Sequence, residues 1–503
     1  MSQLLRLEGK KLNNHFTRYI KKAAISVCLF LLLSTIALGA TDSQWEFDES
    51  TEQAYRYTLN LDFEKVHQLI PSPTTSQQHY VVSLTEAIEL LINEDAEKFS
   101  VFEERFNSRL ERKTKLNSAA DLLLQAEIRI QWAFVYLKFG HEFDAALNLR
   151  QAYLTVKTLK ERFPKFDAVN KTSGLLNVII GSVPQKYNWI LSLLGVEGSA
   201  AKGLEELKQV SDPFSFEGKV INALILGFLM QQPDDGMREI QSLLNEHPTN
   251  RLVLFLGSAM ARKNRESDQA LAMLDSLDSQ VDGEPLHLAR YLRGEICLYK
   301  GEYVEAISSY RWFISNYRGQ NGIKDAYYKI GLCYWLNGNS NDAHATFKLA
   351  KSMGKDASEA DKYAARSLAE AELPHLMLTK ARYATDGGYY QRAKVILDSV
   401  RDADIPTLRD RAEYFYRKAR VAHHSDEIQS AKKLYQKTIE VTGNEPWYFA
   451  PNSCLQLGYI ALNEGAESEA KNYFNRALTY SRHEYKNSID SKAKSALDQM
   501  KRK

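Results

Sequence analysis

Apolar and polar positions alternate along most of this chain with the period of an α-helix, and the apolar stretches come in pairs. The segment Gly331–Phe347, "GLCYWLNGNSNDAHATF", shows one such pair. Around Gly331 the apolar positions fall at −4, 0 and +3 (Tyr327, Gly331, Tyr334), which is one face of a helix. Seven residues after Gly331, Gly338 can take the left-handed conformation that ends a helix and turns the chain. A second helix then carries Ala343 and, four residues later, Phe347. Small residues on both helices, twelve apart, let the two axes approach closely.

The same spacing recurs. Gly294 pairs with Ala306, Ala381 with Ala393, Ala419 with Ala431, and Gly458 with Ala470. Near the N-terminus Ala133 pairs with Ala145, and Ser258 with Ala270 is a weaker match. An apolar residue usually follows at +4 and another at +7, as in Tyr310 and Phe313 or Phe474 and Ala477. Two short helices of this kind cannot bury their apolar faces alone, so they must stack. The spacing predicts an all-α chain built as a superhelix of helical hairpins, an α-solenoid. Small residues at two fixed positions of a unit of about 34 residues are the tetratricopeptide pattern.

The rhythm lapses twice, and the lapses suggest boundaries. Residues 41–280 read as degenerate helical repeats and 281–503 as a tetratricopeptide array with an insertion near 351–375 and a closing helix. Within the first part, "SGLLNVIIGSVPQKYNWILSLLGVEGSAAKGLEELKQ" (173–209) holds two apolar runs split by Pro184 and Lys186, a buried hairpin too short in either arm to span a membrane. This segment resembles the tetratricopeptide repeat protein 39 family, which includes fungal inclusion-body-clearance proteins. "NEHPTNRLVLFL" and the C-terminal "WYFAPNSCLQLGYIALNEGAESEAKNYFNRAL" with "HEYKNSIDSKAKSAL" are similar to the same family. The resemblance runs over roughly residues 50 to 500, and it implies an all-helical scaffold with no established catalytic centre.

The first forty residues depart from that family. Six basic residues and one acid precede a 16-residue apolar run, Ala23–Leu38, which is followed by the small residues Gly39 and Ala40. Such a segment reads as a cleaved secretory signal over 1–40, with cleavage after Gly39 or Ala40, and so as an exported, periplasmic bacterial relative. An uncleaved membrane anchor is the alternative, and residues 23–38 are then the one membrane contact. Taking those forty residues away from the 65 basic and 63 acidic side chains leaves a body of net charge −3, which gives no reason to expect nucleic acid as a partner. Cys297, Cys333 and Cys454 fall at or beside packing positions and read as small buried hydrophobes rather than a disulfide framework.

No motif for catalysis or metal binding emerges. There is no P-loop, no GxSxG elbow, and "HEYKN" lacks the second histidine of a zinc helix. We therefore expect no enzyme activity, no cofactor and no metal. A partner is expected on the stripe one residue past each packing face, on the concave side of the stack. Tyr291, Tyr328, Trp335, Arg382, Tyr416, Arg420 and Tyr459 fall there, and these residue types are enriched at interface hot spots. The reading is a scaffold for a protein or peptide outside the cytoplasm. The alternative is a carrier of a lipid or other apolar ligand that uses the 173–209 hairpin.

Overall fold

The computed structural model describes residues 45–111, 118–183, 191, 195–230, 232–370 and 373–502. No strand occurs among them. Residues 1–40, expected to direct export, and part of the 173–209 stretch lie outside the described residues. The chain divides into two compact units. Unit 1 runs to Arg293 and also takes Trp312–Gln320; unit 2 holds Gly294–Arg311 and Asn321–Lys503.

Unit 1 contains α1 (Glu49–Leu59), α2 (Phe63–Leu69), α3 (Ser76–Asn93), α4 (Ala96–Glu111), α5 (Ala119–Phe139), α6 (Glu142–Arg162), α7 (Val169–Gly181), α8 (Ala200–Lys208), α9 (Ser215–Leu224), α10 (Pro233–Glu246), α11 (Arg251–Lys263) and α12 (Ser267–Asp278). Helices α13 (His287–Lys300) and α14 (Tyr303–Asn316) are divided between the units. Unit 2 continues with α15 (Ile323–Leu336), α16 (Ser340–Ser352), α17 (Glu359–Ala369), α18 (Leu376–Asp386), α19 (Tyr390–Asp398), α20 (Leu408–His424), α21 (Ile428–Thr442), α22 (Phe449–Asn463), α23 (Glu467–Thr479) and α24 (Lys486–Arg502).

Where the small residue of a first helix is glycine, an aromatic ring of the second helix fills the space a side chain would need. A Cβ built on Gly294 would lie 2.8 Å from the Tyr310 ring, one on Gly331 2.6 Å from Phe347, and one on Gly458 2.5 Å from Phe474. Where that residue is alanine or serine, as at Ala133, Ala381 and Ser258, the facing residue is the narrower leucine (Leu149, Leu397, Leu274). The combined volume is conserved, as close packing demands. Tyr435 opposite Ala419 is the exception, and its hydroxyl lies 3.2 Å from His423 Nδ1. Ala306, Ala343, Ala381, Ala393, Ala419, Ala431 and Ala470 have no exposed surface.

The turn inside each hairpin is the same device repeated. The residue seven after the small position takes positive φ: Gly140, Gly301, Gly338, Gly388 and Gly465 lie between 76° and 87°. The next residue donates its N–H to the carbonyl five back, as in His141 to Tyr136 (2.8 Å), Asn339 to Tyr334 (2.9 Å) and Ala466 to Ala461 (2.9 Å). That is the six-to-one bond of a Schellman end. The same residue's carbonyl then accepts the N–H of the second-helix alanine, at 3.1 Å for Ala145, 3.0 Å for Ala343 and 2.9 Å for Ala470. One residue thus closes the first helix and opens the second. Arg265 (φ 66°) and Asp426 (φ 58°) occupy the left-handed position in two hairpins without being glycine.

One hairpin escaped the twelve-residue spacing. Between α9 and α10 the chain makes a π-helical turn, Ile225–Leu229, which adds a residue. The Gln232 N–H reaches the Leu226 carbonyl, six back rather than five. The matching small pair is Ala223 and Gly236, thirteen apart, and a Cβ on Gly236 would lie 2.6 Å from the Ala223 carbonyl oxygen. Helices α7 and α8, from the 173–209 stretch, also meet through glycine: a Cβ on Gly203 would be 2.4 Å from the Gly174 oxygen.

The core of unit 1 contains charge. Lys171 on α7 is buried, with Nζ 2.8 Å from Glu127 of α5 and 4.0 Å from Glu217 of α9. The rings of Phe214 and Tyr80 lie 5.5 and 5.7 Å from the ammonium. Tyr55 of α1 donates its hydroxyl to Glu217 Oε2, and Thr172 donates to Glu127. Among the described residues, Glu217 Oε1 has no hydrogen-bond partner. Burial pushes the Glu217 carboxyl well above the ordinary glutamate range, although the Tyr55 hydrogen bond favours its ionised form. Burial also lowers Lys171 to about 8, against the opposing pull of Glu127.

The insertion of unit 2 has a structural task. Its helix α17 begins with a capping box between Ser358 and Asp361. The buried Asp361 carboxylate also accepts the N–H groups of Gly322 (2.8 Å) and Asp325 (3.0 Å), and so caps the start of α15.

Two predictions follow from these features. Arg265→Gly should raise stability by about 1 kcal/mol and Gly338→Ala should lower it by a similar amount. Nothing lies within 4 Å of a Cβ built on Gly338, so the second cost is conformational alone. The measurement is the denaturant midpoint of the full chain for each variant. The second prediction concerns pH. A carboxyl whose folded pKa is raised contributes stability that is fully present below its unfolded value of 4.5 and is lost as pH rises through the folded value. Unit 1 should therefore lose stability as pH climbs from about 4.5, and Glu217→Gln should flatten that slope in thermal melts taken across the range.

Candidate partner-binding site

The seven stripe residues meet different surroundings. Tyr291 is half-buried, its ring 5.2 Å from Phe313 in unit 1. In unit 2, Tyr328 is buried, with Phe347 at 5.7 Å and Tyr363 at 6.4 Å. Trp335 is half-buried and donates its indole N–H to the Pro374 carbonyl at 3.2 Å. Tyr416 is buried between Phe449 (5.5 Å) and Tyr448 (5.6 Å). Arg420 is also buried, with Nη2 3.1 Å from His424 Nε2. Tyr459 is half-buried against Phe474. Tyr328, Tyr416 and Arg420 turn most of their surface to neighbouring residues of the array, which leaves little for a partner. Arg382 is half-buried, with 28% of its side chain exposed.

Arg382 is one corner of a larger arginine–tyrosine cluster drawn from five places in unit 2. Its Nη1 donates to the Tyr363 hydroxyl of α17 at 2.7 Å, and its guanidinium lies 5.4 Å from the Tyr363 ring and 5.6 Å from Tyr383. On α20, Arg409, Glu413 and Arg417 follow at four-residue spacing and share a face. Arg417 grips Glu413 Oε1 through Nε (3.0 Å) and Nη2 (2.8 Å), and Nη2 also donates to the Tyr448 hydroxyl (2.8 Å). Tyr485, at the entry to α24, packs edge-on to Tyr448 at 5.1 Å. Burial opposes the charge on Glu413, yet Arg417, Arg382 and Arg409 outweigh it and hold the carboxyl below its ordinary range. The cluster is therefore ionised at neutral pH.

Sequence reasoning found Arg382, Tyr416 and Arg420 of this region and missed Tyr363, Arg409, Glu413, Arg417, Tyr448 and Tyr485. Tyr363 sits in the insertion, where no repeat register exists. Tyr448 and Tyr485 precede the helices that carry the rhythm. Glu413 and Arg417 do have a signal: with Arg409 they form an acid between two bases at i, i+4 and i+8.

Elsewhere, chemistry is sparse. Cys297, Cys333 and Cys454 are buried and form no disulfide, and burial pushes the Cys333 thiol up and Cys454 to about 12, which suits inert packing residues. Among the described residues no group of His, Cys, Asp and Glu could hold a metal ion, and no helix is long and apolar enough to cross a membrane. A cavity of about 510 Å³ opens in unit 1 beside α6, α7 and α8, lined by Tyr153, Lys157, Lys160, Ser173, Asn177 and Lys202 among others. Lys160 is engaged within it by Ser173 (2.6 Å) and Glu206 (2.7 Å).

Human IFIT1 dimer with m7Gppp-AAAA is 13% identical, with 92% of this chain and 94% of that one covered at a TM-score of 0.34. The APC/C hetero-tetramer Cut9-Hcn1 is 10% identical, with 89% and 96% covered at 0.29. The P58(IPK) TPR domain is 16% identical, with 80% and 98% covered at 0.21. No curated protein matches the sequence. Residues 158–319 match the family model described as Iml2/Tetratricopeptide repeat protein 39, and residues 451–484 match a tetratricopeptide repeat. With its twelve-residue hairpins and these two matches, the chain is a tetratricopeptide-type repeat protein that is similar over residues 158–319 to the Iml2/tetratricopeptide repeat protein 39 family.

Proposed function

We propose that this chain is a non-enzymatic scaffold that binds a protein or peptide partner outside the cytoplasm. The observation that carries the binding half is the arginine–tyrosine cluster of unit 2. Five elements bring rigid aromatic and guanidinium groups together, and Arg382, Arg409 and Tyr485 keep 28%, 41% and 45% of their surface exposed. Tyrosine and arginine at a rigid, partly desolvated surface are the residues that dominate interface energetics. The absence of catalytic motifs in the sequence supports a binding role over a chemical one. Export rests on the basic stretch and apolar run of residues 1–40.

Two experiments test the two halves. N-terminal sequencing of the native protein should find Ala40 or Thr41 first; an intact Met1 chain in the membrane fraction overturns cleavage. For binding, a photo-crosslinking residue in place of Tyr485 should capture a discrete protein in intact cells. The same residue at Val281, 99% exposed in unit 1, should capture none. Equal capture at both positions, or capture at neither, overturns the scaffold reading.

A further inference from the structure

We infer that the turn joining α20 and α21 is an acid-released latch: protonation of His424 and His423 takes the acceptor from a buried arginine and opens the hairpin at Asp426. The latch does not depend on the scaffold reading. The carrying observation is a hydrogen bond whose roles are forced. Arg420 on α20 is 8% exposed. Its guanidinium has donors only and keeps its charge throughout the physiological range. Among the described residues, the hydrogen-bond acceptor it finds is His424 Nε2, 3.1 Å from Nη2. That nitrogen must hold a lone pair, so His424 is neutral with its proton on Nδ1. His424 is exposed, so protons reach it from solvent. His423 beside it is half-buried, with Nδ1 3.2 Å from the hydroxyl of the buried Tyr435 on α21.

Protonation of His424 removes that lone pair. The Arg420 bond is lost, and two positive charges face each other where the heavy atoms stood 3.1 Å apart. A protonated His423 adds a third charge in the same helical turn. The groups around them come from four places. Asp386 of α18 and Tyr390 of α19 act on Arg420, and the Tyr390 ring stacks 4.6 Å from His424. Tyr435 faces His423 from α21, and Asp426 faces it from the turn. Lys394 of α19 is taken up by Glu427 at 2.6 Å. The two aspartates and the C-terminal end of α20 favour a charged imidazole; burial and Arg420 oppose it. At His423 the opposition wins, and burial first, then Arg420, holds the ring below the ordinary histidine range.

The backbone these rings stand on is already disfavoured. Asp426 holds φ 58°, a left-handed conformation that a Cβ resists. The turn is closed by the Glu427 N–H on the Ala422 carbonyl and the Ala431 N–H on the Glu427 carbonyl, both at 2.9 Å. Titrating rings and strained backbone thus coincide at one joint of unit 2. In an opened segment histidine takes its proton near pH 6.5. A ring that resists protonation while the turn is closed contributes stability that is whole above that value and is lost as pH falls below it. The sign is opposite to that of Glu217 in unit 1, so the readout must be local.

Hydrogen–deuterium exchange of the full chain supplies it. After correction for the chemical exchange rate, peptides spanning residues 418–436 should open about tenfold more readily near pH 5.5 than near pH 7.5. Peptides across the α15–α16 turn at Gly338 should change by less than about twofold. His423→Gln with His424→Gln keeps an oxygen acceptor for Arg420 that cannot be protonated, and should bring the ratio at 418–436 below about twofold. Should the double variant fail to fold, His424→Gln alone, at an exposed position, should at least halve the wild-type ratio. Equal opening of the wild-type turn at the two pH values overturns the latch. An undiminished ratio in a folded glutamine variant overturns it too, as does an equal acid response at the Gly338 turn.

Discussion

The distance between the two helices of a hairpin is fixed where a ring or a leucine of one lies on a small residue of the other. Tyr310 on Gly294, Phe347 on Gly331 and Phe474 on Gly458 each occupy space that any Cβ would contest. With that distance set, the alanine twelve residues on has no exposed surface in any of these hairpins, and every other contact follows from the close approach. The faces left over must stack on the next hairpin. In most hairpins a ring faces glycine and the narrower leucine faces alanine or serine, Tyr435 opposite Ala419 being the exception.

This is why so much of the architecture was legible in the sequence. A fixed contact geometry imposes a fixed spacing, and a spacing can be seen without coordinates. What was hidden broke the spacing or lay outside it. The α9–α10 hairpin carries an extra residue in its π-helical turn, so its Ala223 and Gly236 sit thirteen apart. Arg265 and Asp426 adopt the left-handed turn without the glycine that would have marked it. Asp361 belongs to an insertion with no register, yet its carboxylate caps a neighbouring helix. For the site, the stripe rule located Arg382 but could not tell surface turned to a partner from surface turned to the next hairpin. Tyr328 and Tyr416 fall on the latter side because large rings fill the gap between adjacent repeats.

The two units place charge in opposite ways. In unit 1, Lys171, Glu127 and Glu217 are enclosed by α1, α3, α5, α7 and α9, and the low-dielectric surroundings lower Lys171 and raise Glu217 from their ordinary ranges. Such a group is weak evidence of stability, and losing one partner is costly because it strands the other. In unit 2 the acid Glu413 stays ionised among three arginines. There Arg417 is buried and Glu413 nearly so, while water still reaches the outer two guanidiniums, Arg382 and Arg409. Residue type alone did not distinguish these roles; a lysine within the helical pattern around residue 171 reads the same whether it faces solvent or core.

The residue that closes one helix and opens the next has a bearing on how such a chain can lengthen. Because His141, Asn339 and Ala466 each donate to the helix behind them and accept from the helix ahead, one residue added in the turn breaks both bonds, unless the chain absorbs it as a π-helical turn. The joints between hairpins carry no such double duty. First-helix positions there stand 37, 38, 39 and even 50 residues apart, while the interval within most hairpins stays at twelve. Apart from the α9–α10 hairpin with its π-helical turn, the hairpin keeps a fixed length, and variation in spacing falls at the seams.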